Sequence, residues 1–363
     1  MLSEFVATTA QEFTIPGVAV GVWHQGRMTA SCHGVTSLDN PLPVDSETLF
    51  VLGSITKTYT ATALMRLAEQ GRVDLDAPVR RYVGDLKLAD EQAAQTLTVM
   101  NLLNHTSGLG WDLILDTGPG DDALARFVGH LPELGLIAPP GTRASYSQAG
   151  YSLLGRVIEN VTAMTYEKAM ADLVFQPLGL SHSFFALDDV ITRRFAVGHN
   201  PGDDGNLAVA RLWRAPRYRN AGGGLASSVS DLLRWAKFHL GDGEGVASRQ
   251  TLERMKQPTV ELRGSTLGDA IGICWFLRDI DGAQAVGHGG SANGQFAELL
   301  LIPERDFAVV SLTNAGPNGI PFNQQVMRWT LEHYLGLIDR DPKPVPYDPA
   351  QAQEVIGTYD ITP

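Results

Sequence analysis

The sequence predicts an α/β protein of the α+β type, in which helices flank an antiparallel sheet and a mainly helical lobe is inserted. Three observations support this fold class. Strand-like runs lie near both ends of the 363-residue chain, short helical patterns fill its middle, and Pro-Gly breaks divide that middle into pieces. Strands from the two ends can form one sheet, so the segment between them becomes an insertion.

The N-terminal elements are predicted from periodicity. Residues 2–13 predict an amphipathic helix, and Val18–Val22 and Met28–Val35 predict strands. The intervening His24-Gln25-Gly26 predicts a hairpin turn. A long helical pattern, Thr58–Gln70, follows and is apolar around much of its circumference, so we expect it to be buried.

The rest of the chain predicts short helices in the middle and strands after them. The predicted helices are Thr98–Leu103, Gly150–Asn160, Tyr166–Val174, Ser230–Leu240 and Phe322–Leu335. The predicted strands are Ala270–Leu277, Ala283–His288, Phe296–Ile302 and Phe307–Leu312.

These elements predict a discontinuous organisation. Residues 1–75 and 220–338 form the α/β lobe, and residues 76–219 form the helical lobe. A cleft between the lobes is the expected place for a site. Residues 339–363 are rich in Pro and Asp and predict a linker, and Glu354–Tyr359 predicts the start of a strand in a further module, cut off by the terminus.

Composition restricts the partners. Hydrophobic residues make up 44% and charged residues 19% of the chain, as in ordinary globular proteins. A net charge of −12 argues against nucleic acid and anionic membranes, so we expect a small-molecule substrate. Cys32 and Cys274 lie far apart and predict buried thiols, and no motif indicates a metal or other cofactor.

The N-terminus lacks the features of a signal peptide, and no apolar run is long enough to span a membrane. We therefore expect a cytoplasmic protein, although a leader removed from the chain would leave the same sequence. The oligomeric state is left open.

The most informative motif is Ser54-Ile55-Thr56-Lys57, at the start of the long helical pattern. Residues at i and i+3 share a helix face, so the amine lies near the hydroxyl. The positive end of the helix dipole favours negative charge there as well. This pattern predicts an activated serine nucleophile, whereas a capping serine followed by a solvated lysine is the alternative.

Further candidate residues follow later in the chain. Tyr146-Ser147-Gln148 lies between a Pro-Gly turn and a helical pattern, where the tyrosine would face the cleft or simply pack. Val286–Ser291 contains His288-Gly289-Gly290, whose glycines let a substrate lie against the strand backbone or else form a bulge. His105–Leu109 is expected to organise a loop. G-x-S-x-G and H-E-x-x-H motifs are absent from the sequence.

From Val18 to Leu335 the sequence resembles the serine β-lactamase-like, or penicillin-binding-protein, superfamily with the class C β-lactamase fold. The resemblance rests on the three motifs above, in that order. It implies that Ser54 is the nucleophile, Lys57 tunes it, Tyr146 is the general base, and His288 opens the strand motif. It also implies an oxyanion hole formed by the backbone N–H groups of Ser54 and Ser291.

Two departures from the family pattern indicate the substrate class. Gln148 replaces the usual Asn of Tyr-x-Asn, and Gly289 replaces the usual threonine of the strand motif. A neutral histidine and a missing hydroxyl would hold a substrate carboxylate poorly. The chain is therefore most similar to the family VIII carboxylesterases, which implies a cofactor-independent serine hydrolase acting on esters or lactones through an acyl-enzyme.

Two alternatives remain. The first keeps the same machinery and is a D-amino-acid-specific peptidase or amidase, or a weak β-lactamase. The second belongs to another class and is a catalytically silent scaffold or sensor. Ser54, Lys57 and Tyr146 together argue against the silent scaffold. Gln148, Gly289 and Gly290 are expected to contact substrate. The remaining candidates are aromatic residues for an apolar pocket and arginines for a substrate carboxylate: Trp111, Trp213, Tyr218 and Trp275, and Arg211, Arg214, Arg217 and Arg219.

Overall fold

The computed structural model describes residues 1–263, 265–341 and 348–357. The strands are β1 Gly17–His24, β2 Arg27–Gly34, β3 Phe50–Val51, β4 Ser183–Phe184, β5 His199–Pro201, β6 Leu207–Val209, β7 Ala226–Ser227, β8 Val260–Glu261, β9 Ala270–Ile271, β10 Phe276–Ile280, β11 Ala283–Ala292, β12 Gln295–Ile302 and β13 Phe307–Thr313.

The α-helices are α1 Leu2–Glu12, α2 Thr56–Glu69, α3 Glu91–Thr96, α4 Val99–Leu103, α5 Ala123–Gly129, α6 Gln148–Thr162, α7 Tyr166–Met170, α8 Leu187–Val190, α9 Asn220–Gly223, α10 Val229–Leu240, α11 Arg249–Met255, α12 Gly319–Leu335 and α13 Pro349–Val355. A short 3-10 turn, Gly53–Ile55, leads into α2.

The main sheet has eight strands in the order β2-β1-β13-β12-β11-β10-β9-β8. Its pairs are antiparallel, and β1 from the N-terminal part pairs with β13 from the C-terminal part. The two parts of the chain therefore share one sheet, which confirms the predicted fold class. The exact division into residues 1–75 with 220–338 and 76–219 stays a prediction.

Apolar layers cover both faces of the sheet. Alternating residues of β12 face opposite sides, so Leu299 joins the larger core with α2 and α10, whereas Leu300 joins a second core with α1 and α12. Side chains from the middle of the chain also pack in the larger core. The even-numbered positions of β12 therefore face α12, and this places Glu298 on that side.

Helix α2 is buried, as its apolar sequence predicts, but it begins at Thr56 rather than Thr58. Its Tyr59 ring stacks on Trp235 of α10 with 3.9 Å between ring centroids. The indole Nε1 of Trp235 donates to Thr58 Oγ1 at 3.1 Å. These contacts fix the helix whose first turn carries Lys57.

The predicted strand Ala270–Leu277 is wrong as a single element, because β9 and β10 are separated by a tight turn. Gly272 N donates to Trp275 O at 2.8 Å, and Cys274 has φ 75°. This φ lies in a region that non-glycine residues seldom adopt, so the apolar pattern gave no sign of the turn.

The C-terminal segment also differs from its prediction. Glu354 and Val355 belong to α13 rather than to a strand, because Asp348 caps this helix by accepting from Ala350 N at 2.8 Å. Thr358 and Tyr359 lie outside the described residues, as does the part of the predicted linker at 342–347. Asp339, where that linker was predicted to begin, is ion-paired with Arg278 at 3.1 Å.

Candidate active site

Strand β11 lies against the turn that carries Ser54. An added Cβ at Gly290 would lie 1.9 Å from Leu52 O and 3.1 Å from Ser54 N. Gly53 has φ 52°, and an added Cβ there would lie 2.5 Å from Ser291 N. Glycine at both positions is what allows this approach, and it brings the backbone amides of Ser54 and Ser291 to the same place.

The Lys57 amine is buried beside the Ser54 hydroxyl. Its Nζ lies 3.2 Å from Ser54 Oγ and donates to Gln148 Oε1 at 2.7 Å and to Gly222 O at 2.5 Å. A neutral amine has two N–H groups and one lone pair. If Gln148 and Gly222 receive the two N–H groups, the lone pair is left facing Ser54.

Burial lowers the pKa of Lys57 from 10.5 to about 7, and the nearby Arg219 charge acts in the same direction. The side chain is fully buried, so its ammonium form loses hydration. A substantial fraction of Lys57 is therefore neutral near pH 7 and can accept a proton.

Tyr146 completes the group around Ser54. Its ring centroid lies 4.3 Å from that of His105 and 6.4 Å from that of His288, and Lys57 Nζ lies 4.9 Å from the Tyr146 centroid. Burial raises the pKa of Tyr146 above its ordinary value, while the hydrogen bond with Ser54 opposes this shift. This direction disfavours the phenolate form that a general base at Tyr146 would need, and the role of Tyr146 as base stays a prediction.

His288 is neutral in this environment. Burial, followed by the charge of Lys57, lowers the pKa of His288 to about 3. Its Nδ1 pairs with Gly289 O at 2.6 Å, which requires the proton on Nδ1. His288 therefore presents no cation to a substrate carboxylate, as the departure from the family motif indicated.

Gln148 contacts Lys57, and its expected contact with substrate stays a prediction. Its side chain is buried, and its Oε1 accepts from Lys57 Nζ. This amide lies directly over Gly222, where an added Cβ would be 2.1 Å from Gln148 Nε2. The longer side chain at the usual Asn position is thus accommodated by a glycine.

A cavity of about 620 Å³ opens beside Ser54 and Tyr146. His288, Gly289 and Gly290 line it as predicted candidates. Its remaining walls come from the segment between β8 and β9, from β10, β12 and α12, and from Asp339; they include Thr266, Leu267, Phe276, Arg278, Glu298, Leu300, Ile320, Asn323, Met327 and Arg328.

The four predicted pocket aromatics lie outside this cavity. Tyr218 is buried against Phe127, and Trp275 is buried against His239. Trp213 packs edge-to-face on Phe195 and donates from Nε1 to Ala196 O at 2.9 Å.

Trp111 is exposed, with the Arg219 guanidinium 5.2 Å from its ring centroid. Tyr218, Trp213 and Trp275 are held by ordinary packing contacts, and a single sequence does not distinguish a residue with such contacts from one that lines a pocket.

The four candidate arginines also lie outside this cavity. Arg217 pairs with Glu167 at 3.0 Å, and Arg219 pairs with the buried Asp112 at 2.9 Å. Arg214 donates to Phe185 O at 3.1 Å, and Arg211 is exposed. Their expected role in holding a substrate carboxylate stays a prediction.

The family is decided by comparison with known proteins. A model of the Beta-lactamase family matches residues 2–325. The chain belongs to this family.

Three relatives of this Beta-lactamase-family protein are notable. It is 32% identical to Penicillin-binding protein 4 of Amycolatopsis lactamdurans, covering 96% of this chain and 94% of that protein. An octameric penicillin-binding protein homologue from Pyrococcus abyssi has TM-score 0.80 and 28% identity, over 93% of this chain and 77% of that one. A class C beta lactamase from Rhodobacter sphaeroides has TM-score 0.73 and 26% identity, over 90% and 97%. These matches support a serine hydrolase of this family.

Sequence reasoning missed several cavity residues of this family member. Phe276 and Arg278 follow the unrecognised turn, and Glu298 was hidden in the apolar run Phe296–Ile302. The signal for Glu298 was a charged residue in an otherwise apolar strand. Among the described residues, we find no helix suited to crossing a membrane and no cluster of three potential metal ligands.

Proposed function

We propose that this protein is a cofactor-independent serine hydrolase that forms an acyl-enzyme on Ser54 and prefers carboxylic esters, including lactones. One observation carries the proposal: a fully buried lysine with a lowered pKa lies 3.2 Å from the only partly buried Ser54 hydroxyl, at the edge of a cavity. A buried amine beside a reachable hydroxyl is the arrangement of an activated nucleophile.

In the first step neutral Lys57 accepts the Ser54 proton as Oγ forms a bond to the substrate carbonyl carbon. The backbone N–H groups of Ser54 and Ser291 stabilise the negative oxygen, each contributing roughly 10²–10³ in rate. The bond to the leaving alkoxide then breaks. Tyr146, protonated because of its burial, donates a proton to that alkoxide and recovers one from Lys57.

In the second step water attacks the acyl-enzyme. The same groups remove a proton from the water and return one to Ser54 Oγ, which releases the acid. The general-base contribution is on the order of 10²–10⁴ in rate.

The preference for esters rests on the charges that line the cavity. His288 is neutral, Gly289 offers no hydroxyl, and Arg278 and Arg328 are paired with Asp339 and Asp341. A substrate carboxylate would therefore meet no uncompensated cation from these groups. A neutral ester needs none, and its alkoxide leaves more readily than an amine. The proposal therefore includes a place for this protein in the family VIII carboxylesterase branch.

The similarity to Penicillin-binding protein 4 over 96% of the chain favours a second candidate, a D-amino-acid-specific peptidase or amidase with the same machinery. Side-by-side assays with p-nitrophenyl esters, D-alanyl amides and nitrocefin separate the candidates. We expect kcat/KM for the best ester to exceed that for the other two by at least about tenfold, or about 1.4 kcal/mol. A preference for a D-alanyl amide over every ester would replace the first candidate with the second.

Labelling with a fluorophosphonate probe tests the nucleophile and the silent-scaffold alternative. We expect one adduct, located on Ser54 by peptide mapping, and none in Ser54→Ala with an unchanged circular dichroism spectrum. An adduct on another residue would contradict the assignment. Absence of both labelling and turnover would favour the scaffold.

A further inference from the structure

Glu298 is the cavity residue whose chemistry the proposed reaction leaves unused. It lies on β12 directly opposite Gly289 of β11, and it shares the cavity with Ser54 and Tyr146. Strand β12 is otherwise apolar on this face, where Leu300 and Ile302 pack with α1 and α12. A carboxyl group at this position is therefore unlike its neighbours.

The missing side chain at Gly289 leaves room for this carboxyl group. An added Cβ at Gly289 would lie 2.9 Å from Glu298 Oε2 and 3.7 Å from Oε1. Gly290, the next residue, faces the Ser54 turn, whereas Gly289 and Glu298 face α12, so chain geometry places the carboxyl group on the other side of β11, roughly 10 Å from the Ser54 amide. Ser54 and Glu298 both line the cavity, which therefore reaches both sides of this strand. A small substrate bound at Ser54 spans that distance.

The protein supplies no hydrogen bond or ion pair to the Glu298 carboxyl group from any residue that the structure describes. Arg278, whose positive charge acts on this carboxyl group, is itself paired with Asp339 at 3.1 Å. The Glu298 side chain is partly exposed, but protein atoms surround its carboxyl group. This burial raises the pKa of Glu298 to about 7, although the positive charge of Arg278 acts in the opposite direction. A desolvated carboxylate without a partner is costly unless a donor or cation joins it.

We propose that Glu298 binds an ammonium group of the substrate, so that the enzyme prefers cationic esters or amides to neutral ones of the same shape. This inference rests on the proposed function, because it names the substrate class of the same cavity. The other cavity charges are compatible with it. Arg278 pairs with Asp339 and Arg328 pairs with Asp341, so two carboxylates offset the two guanidinium charges and Glu298 is left to attract a cation.

The test uses isosteric substrate pairs that differ in charge. Acetylcholine and 3,3-dimethylbutyl acetate place the charge in the leaving group, and D-alanine ethyl ester and ethyl 2-methylpropanoate place it in the acyl group. Acid release in a pH-stat gives kcat/KM for each substrate. The quantity of interest is the cationic-to-neutral ratio within a pair.

We expect wild-type protein to favour the cationic member of at least one pair by about tenfold or more, and Glu298→Gln to bring that ratio close to one. Glu304→Gln is the matched control. Glu304 follows the end of β12, is exposed and does not line the cavity, yet its replacement changes net charge equally. This control should keep the wild-type ratio. A wild-type ratio near one in both pairs, or a ratio that survives Glu298→Gln, would overturn the inference.

A binding measurement separates this inference from the proposed function. Calorimetry on Ser54→Ala compares the binding of choline with that of its neutral isostere 3,3-dimethylbutan-1-ol. Isopropylammonium represents the acyl-side amine, and its titration into buffer alone is the blank. We expect at least one amine to bind, and binding to weaken about tenfold or more when Glu298→Gln is added. Loss of all turnover with retained Glu298-dependent binding would reject only the hydrolase. Turnover of neutral esters with no Glu298-dependent binding or selectivity would reject only the ammonium site.

Discussion

Replacing Gly222 by alanine should disable the lysine without touching Lys57 itself. Gly222 lies in α9 beneath the Gln148 amide, and its carbonyl accepts from Lys57 Nζ at 2.5 Å. The new Cβ would lie 2.1 Å from Gln148 Nε2 and 2.5 Å from Oε1. Such separations are sterically forbidden, so the amide must move away.

The size of the effect follows from the contact that is lost. Gln148 Oε1 accepts from Lys57 Nζ at 2.7 Å inside a fully buried environment. A hydrogen bond to a charged group contributes about 1.5–3 kcal/mol. If that contribution orients the amine in the transition state, kcat/KM falls by roughly 10- to 150-fold.

The assay is kcat/KM with p-nitrophenyl acetate, with active-site titration to count competent molecules. Gly223→Ala is the matched control, because its new Cβ would lie no closer than 3.8 Å to Gly53 and should change kcat/KM less than about twofold. Adding Gln148→Asn to Gly222→Ala shortens the amide side chain and should restore part of the activity. Full activity in Gly222→Ala, or equal damage from Gly223→Ala, would refute the reasoning.

Two further predictions concern the base and the strand. Because Lys57 must lose its proton to act as base and its pKa is about 7, kcat/KM for a neutral ester should rise about tenfold per pH unit below 7 and level off above it. Glu298 also has a pKa of about 7, so the pH dependence is measured in Glu298→Gln as well. An unchanged pH profile in that variant would show that Glu298 does not cause it. Gly290→Ala should lower kcat at least about 10²-fold by separating β11 from the Ser54 turn, because its Cβ would lie 1.9 Å from Leu52 O. Gly129→Ala, with no atom within 4 Å of its new Cβ, should retain activity, and equal loss in both would point to a general folding defect.

The main sheet and the central helix α2 could be predicted from the sequence because their apolar patterns are periodic. Alternating apolar strands and the apolar circumference of α2 are local signals that packing requires. The positions of Tyr218 and Trp275 were not predictable in the same way, since a buried aromatic has the same local pattern whether it lines a pocket or fills a core. The turn at Cys274, with φ 75°, was hidden because its stability comes from distant contacts such as Cys274 N to Leu103 O at 3.1 Å.

The departures from the family motifs have a common physical consequence when their neighbours are considered. Gln148 extends one methylene further than asparagine, and its amide occupies the space above Gly222 that a Cβ would need. Gly289 likewise leaves room for the carboxyl group of Glu298. Each departure therefore pairs with a second residue, one holding the lysine and the other facing substrate. This pairing explains why reading Gln148 and Gly289 alone indicated only what the site lacks, whereas their contacts indicate what replaces it.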